Sequence, residues 1–269
     1  IPPELREDRG EIDAAERSAL PDLVTLEDLR GDLHAHTVAT DGHATIEEMV
    51  EAARKAGLSY LAITEHSQRL KMVHGMDVDR LLAQVDAIGA LDERLRGFRV
   101  LSGVEVDILE DGTLDLPDSV LARLDVVVAS VHGKFDLPRE RQTARILRAM
   151  ENRHVSILGH PTGRLLGVRE PYELDLDRIF ASAEANRVVL ELNAHPERLD
   201  LSDELCRRAK SMGVKIAIST DAHSTHDFGN LRYGVAQARR GWIEASDVVN
   251  TLPVTKLLRL LRGPSQRRG

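Results

Sequence analysis

Gly31-Asp32-Leu33-His34-Ala35-His36-Thr37 is a short run that ends in two histidines, and Asp41 follows four residues later. In an extended chain, residues i and i+2 share a face, so His34 and His36 can aim at one cavity while Ala35 points away. The same pattern recurs along the chain. Tyr60–Glu65, Phe98–Val106, Val126–Val131, Val155–Gly159, Val188–Asn193 and Lys215–Thr220 also read as strands. They lead into Glu65-His66, Glu105 with Asp107, His132, His160, Asn193 with His195, and Asp221-Ala222-His223. The last of these repeats the i, i+2 spacing of the first.

Between these runs lie stretches of helical period, Ile46–Ala56, Val78–Leu95, Arg139–Asn152, Leu176–Ala185 and Ser202–Met212. Thr45 before Ile46, with Glu47 and Glu48 following, reads as a helix start, and Gly57 as its stop. Strands alternating with helices predict parallel pairing through right-handed crossovers. Seven such units make either an open doubly wound sheet or a barrel. An open sheet would spread the polar strand ends along a line, whereas closure gathers them at one mouth. The expected fold is therefore α/β, a seven-stranded barrel of the TIM-like kind.

The bulk properties agree. The chain has 269 residues, 42% of them hydrophobic but only 3% aromatic, so its core must be built from Leu, Val, Ile and Ala. The formal charge of −8 disfavours passive binding of nucleic acid, which needs Lys and Arg. The single cysteine, Cys206, excludes an intrachain disulfide and a thiolate zinc site, and its place in a helical pattern makes it a core residue. No apolar run approaches membrane-spanning length and no signal-peptide pattern opens the chain, so the expected setting is the cytoplasm, with no membrane partner. The polar, proline-led opening Ile1-Pro2-Pro3-Glu4-Leu5-Arg6-Glu7-Asp8-Arg9-Gly10 reads as a linker cut from a longer polypeptide. The expected organisation is an N-terminal extension over 1–27, one domain over 28–262, and a flexible basic tail over 263–269.

Imidazole and carboxylate without thiolate suit Zn²⁺, Mn²⁺ or Fe²⁺ better than Mg²⁺ or Ca²⁺, which prefer oxygen shells. Nine candidate ligands are too many for one ion and are enough for three, given a bridging carboxylate. Singly, a strand-end histidine is more often a hydrogen-bonding residue, and Asp41 before Gly42 would serve in a turn. Those readings do not account for the convergence of the set.

Taken together and in order, Gly31–Thr37, Thr64-Glu65-His66-Ser67, Gly103-Val104-Glu105-Val106-Asp107, Ser130-Val131-His132, Gly159-His160-Pro161 and Thr220-Asp221-Ala222-His223 resemble the PHP domain of polymerases and histidinol phosphatases. The opening residues, Gly159–Leu166, Asn193–Asp200 and Ala238–Trp242 resemble the C-terminal PHP domain of bacterial family X DNA polymerases, without the polymerase domain. The resemblance implies a distorted (β/α)7 barrel carrying three divalent ions, Mn²⁺ or Zn²⁺ with Fe²⁺ as a further option. It assigns His34, His36, Glu105 and Asp221 to one ion. Glu105 would bridge to a second held with His132 and His160, and Asp41, His66 and His223 would hold the third. Glu65 stands where the family usually has Asp, a departure that bears on tuning of the metals more than on their binding.

Clustered divalent ions activate water at neutral pH and neutralise phosphate oxygens, so the expected chemistry is phosphoester hydrolysis. Glu105, Asp221 and Arg198 are the expected catalytic residues, and Arg198, Arg164, Asn193 and Lys134 the expected substrate contacts. The resemblance implies DNA as substrate and a polymerase domain as partner. The implied activity is 3′–5′ exonuclease action, with abasic-site cleavage or 3′-end processing in base-excision repair. Two other readings stand beside it: a histidinol-phosphatase-like phosphomonoesterase, and a non-catalytic metal-binding module that stabilises a polymerase.

Overall fold

The computed structural model describes residues 1–262; the expected basic tail, 263–269, lies outside them. Seven strands, β1 Gly31–Asp32, β2 Tyr60–Ile63, β3 Arg99–Asp107, β4 Val126–Ser130, β5 Ile157–Leu158, β6 Val189–Asn193 and β7 Ile216–Ser219, pair in parallel in chain order. Around them run α1 Glu11–Glu16, α2 Ile46–Lys55, α3 Val78–Arg94, α4 Asp118–Leu121, α5 Arg139–Met150, α6 Leu176–Asn186, α7 Asp203–Ser211, α8 Leu231–Arg240 and α9 Val254–Leu261. Thr45 caps α2 as its sequence predicts, accepting from Glu48 N while Glu48 returns a bond to Thr45 N.

Alternation along the strands builds two apolar cores. Leu61, Ile63, Val104, Val127, Leu190 and Ile218 face the helices, whereas Tyr60, Ala62, Leu101, Val126, Val128, Ile157, Val189 and Ala217 fill the barrel. The interior core continues into Val249, Leu257 and Leu261, so α9 plugs the N-terminal end of the barrel. Neither α8 nor α9 stands among the helices read from sequence, because Leu257, Leu258, Leu260 and Leu261 find a use only once the barrel exists. Gly31 is required by the same packing: a Cβ there would lie 2.0 Å from the Tyr60 ring.

The β1–β7 seam is closed by side chains as much as by ladder bonds. Near the mouth, His36 N donates to Ala222 O at 2.8 Å, and Asp32 accepts from the Thr220 hydroxyl at 2.6 Å. Burial pushes the Asp32 carboxyl up to about 6. Lower down, fully buried Asn250 spans the gap. Its amide donates to Gly31 O and Ile218 O, each at 2.7 Å, and its oxygen accepts from Ile218 N at 3.0 Å. Asn250→Ala would strand three buried backbone groups, so a stability loss of about 3 kcal/mol is expected, read as a lower urea midpoint with an unchanged slope. A midpoint equal to wild type would mean that the seam closes without it.

Residues 1–27 have a linker's composition but are packed on the barrel. Leu5 is fully buried, and Glu4, Glu7 and Arg9 pair with Arg239, Arg240 and Asp203 at 2.7, 2.6 and 2.9 Å. Val24 N bonds Ile243 O at 3.0 Å. What reads as solvated charge is complementary to α7 and α8, which a single sequence cannot reveal.

Candidate metal centre

Each ligand candidate is delivered by the C-terminal end of a strand or the loop after it. Beyond β1 the chain leaves regular pairing and regains one bridge at Ala35, which packs in the outer core as Ala222 does, leaving His34 and His36 inside. Glu105, on β3, lies at the centre. Its Oε1 is 3.1 Å from His132 Nε2 and 2.9 Å from His160 Nε2, and its Oε2 is 2.8 Å from His66 Nδ1 and 3.4 Å from His34 Nε2. His36 Nε2 meets Asp221 Oδ1 at 3.2 Å, and Asp41 Oδ2 lies 3.3 Å from His66 Nε2 and 3.4 Å from His223 Nε2.

Among the described residues three groups of donors are compact enough to hold an ion: His36, Asp41, His66 and His223; His34, His36 and Asp221; and His66, Glu105 and His132. A metal fits them for a physical reason. His34 Nε2, both His36 nitrogens, His66 Nδ1, Asp41 Oδ1 and Glu105 Oε2 are buried without a hydrogen-bond partner. Unsatisfied buried polar atoms cost about 1–3 kcal/mol each, and a shared cation satisfies several at once. Without one, protons take its place. At His66 and His223 burial works against charge, yet Glu105 and Asp41 outweigh it and raise them to about 10 and about 9. Burial and the nearby His66 cation lower His36 to about 3. Burial would raise Glu105, but His132, His34 and His66 hold it well below the carboxylate range.

A PHP domain model matches residues 32–195, more than half of the chain. The chain belongs to the PHP family. Its PHP barrel is 45% identical over 250 residues to the DNA polymerase/3′-5′ exonuclease PolX of Bacillus subtilis (strain 168), covering 93% of this chain but 44% of that protein, so it spans less than half of that relative's length. It is 33% identical over 233 residues to a protein of Thermoanaerobacter sp. (strain X514) named as a probable phosphatase, covering 82% and 89% of the two. In structure it resembles a histidinol phosphate phosphatase of Lactococcus lactis subsp. lactis Il1403, solved with zinc, L-histidinol and phosphate, at 17% identity. That likeness has a TM-score of 0.55 over 77% of this chain and 92% of the other, and it bears on the fold. The family and its phosphatase members support a metal-dependent phosphoesterase.

The PHP barrel brings all nine expected ligands to one mouth, but the grouping differs from the expected one. Glu105 falls outside the His34, His36 and Asp221 group, His36 also joins Asp41, His66 and His223, His66 also joins Glu105 and His132, and His160 stands beside Glu105 Oε1 outside the three compact groups. Of the expected substrate contacts only Arg198 lines the cavity above the cluster; its Nε is 3.5 Å from Asp221 Oδ2 and its Nη1 is buried without a partner. Arg164 turns away, donating from Nε to Arg198 O at 2.9 Å and from Nη2 to Leu199 O, so it braces the loop that carries Arg198. Asn193 is buried, its amide donating to Asp221 at 3.1 Å and to Glu191 at 3.3 Å, which makes it a positioning residue. Lys134 is exposed and does not line the cavity. Their residue types fitted the role, but their donors are committed elsewhere or point outward.

The sequence reading missed Glu191. Its Oε1 accepts from His34 Nδ1 at 2.7 Å, and its Oε2 accepts from His160 N at 2.6 Å. This fixes the His34 tautomer with Nε2 turned to the cluster, a carboxylate–histidine–metal arrangement. Counting back by two from Asn193 would have placed it inside. Asp107 sides with this outer set, 2.9 Å from Arg69 Nε and 3.4 Å from His132 Nδ1. Glu65 accepts from the Thr37 and Thr40 hydroxyls and from Thr37 N, which anchors the loop bearing Asp41. Cys206 is buried in the core as expected. Among the described residues no helix is long and apolar enough to cross a membrane.

Proposed function

We propose that this chain is a DNA phosphodiesterase that removes nucleotides from 3′ ends, working with up to three Mn²⁺ or Zn²⁺ ions as the PHP domain of a family X polymerase and serving base-excision repair. The observation that carries it is the cavity over the metal cluster, about 490 Å³, with Arg69, Lys71, Arg169 and Arg198 interspersed with Leu70, Val73, Phe135 and Leu165. Alternating cationic and apolar walls suit a phosphodiester bearing sugar and base better than a small polar monoester. The 45% likeness to PolX supports the same reading.

Bound divalent ions supply activated water and charge neutralisation for an in-line displacement at phosphorus. The chain's own residues do the rest. Glu191 orients His34, Asn193 orients Asp221, Asp107 anchors the backbone N–H of His132, and Arg198 presents Nη1 to a phosphate oxygen. Arg198→Ala is expected to lower kcat/KM on a phosphodiester about 10²-fold with metal content unchanged; wild-type kcat/KM would remove Arg198 from the mechanism.

The second reading, a phosphomonoesterase of the histidinol-phosphate type, is favoured by the fold shared with the Lactococcus protein. A non-catalytic module is disfavoured, since every ligand candidate keeps a competent side chain. The deciding experiment is digestion of 5′-labelled single-stranded DNA with Mn²⁺, beside phosphate release from histidinol phosphate. A 3′–5′ ladder lost in His34→Ala supports the nuclease. Intact DNA with phosphate released overturns it in favour of the monoesterase.

A further inference from the structure

The wall of the metal cavity carries a stack of three side chains. Arg169 Cζ sits 3.9 Å over the Phe135 ring, and Phe135 stacks on buried Tyr172 with centroids 6.2 Å apart at an interplanar angle of 17°. Arg169 Nε donates to Gly163 O at 2.8 Å, which holds the guanidinium over the ring. Among the described residues no carboxylate forms an ion pair with Arg169; burial and the nearby Arg198 lower its pKa, against a smaller opposing effect of Asp200. A half-buried arginine seated on an aromatic ring without an ion-pair partner leaves a cationic face for a ligand. It lines the same cavity as Glu105, Asp221 and Arg198, and Leu70 and Val73 from the loop after β2 line that cavity with it. The rim is apolar too: Met72 and Val168 are 97% and 82% exposed, on the loops after β2 and β5.

We propose that Arg169, seated on Phe135, is a nucleobase platform on which the terminal base of a single-stranded nucleic acid stacks while its phosphate reaches the metal cluster. This rests on the phosphodiesterase reading and deepens it. A guanidinium plane stacks on any base face, and its charge attracts the π-system, so the platform is sequence-tolerant. Lysine keeps the charge but not the plane. A duplex end presents its terminal base already stacked and paired, so the platform selects single-stranded or frayed ends.

The test compares two diesters with one leaving group: thymidine 5′-(p-nitrophenyl phosphate), and methyl p-nitrophenyl phosphate, which lacks sugar and base. Arg169→Lys and Phe135→Leu are expected to lower kcat/KM on the thymidine diester tenfold or more, and on the methyl diester less than twofold. Phe135→Trp retains the wild-type preference. A readout without turnover is the quenching of a 3′-terminal 2-aminopurine in an oligonucleotide protected by a terminal phosphorothioate; the two disruptive variants lose it. Equal loss on both diesters, or no loss on either, overturns the base platform alone. Wild-type protein inactive on both diesters overturns the phosphodiesterase reading, and the platform with it.

Discussion

Glu105→Gln is expected to lower kcat/KM by about 10³-fold or more, roughly 4 kcal/mol of transition-state stabilisation. The effect is large because both carboxylate oxygens are in use, Oε1 toward His132 and His160 and Oε2 toward His66, His34 and His36. Glutamine keeps the shape but removes one negative charge from the centre and turns an N–H toward the place of a cation. Metal content by elemental analysis should fall in the same variant. Activity within tenfold of wild type would show that Glu105 does not bridge, and that His34, His36 and Asp221 act without it.

Stripping the protein with a chelator is expected to lower Tm by about 10 °C, since one site held at 1,000 times its Kd contributes about 4 kcal/mol. The difference should depend on pH in a definite direction. Without metal, His66 and His223 are raised to about 10 and about 9 by the carboxylates around them. A base raised above its unfolded value of about 6.5 stabilises the fold below that value and loses the effect as pH climbs through its folded value. The metal-free protein should therefore lose stability from about pH 7 to pH 10. The metal-loaded protein, whose imidazoles are already neutral, should not. The gap in Tm is expected to widen from pH 7 to pH 9.5 and to narrow in acid, where protons compete with metal. A gap independent of pH would mean that these histidines are not the ligands.

How far the sequence reached follows from which features are local. Strand after strand ends in His, Asp or Glu, and that repetition required closure of the sheet, because only a barrel brings such ends together. The pairs His34/His36 and Asp221/His223 were legible because the two-residue period of an extended chain is a property of the backbone. Even the break after Asp32 leaves both histidines inside. The strand ends nominated candidates for the metal cluster, and their assignment to particular ions came from the family resemblance.

What the tertiary structure decided is the fate of donors and charges whose partners lie far along the chain. Arg164 and Asn193 have the chemistry of substrate contacts, but their hydrogen bonds go to Leu199, Arg198 and Asp221. Glu191 is one acid among 44 in the sequence and becomes the partner of His34 only across 157 residues. The contact of Arg169 with Phe135 joins two loops 34 positions apart, and Asn250 closes the seam between the first and last strands of the barrel. Backbone period places a side chain on a face of its own strand. Which long-range partner takes its proton, its charge or its ring depends on closure of the barrel, and that is where local pattern stops and packing decides.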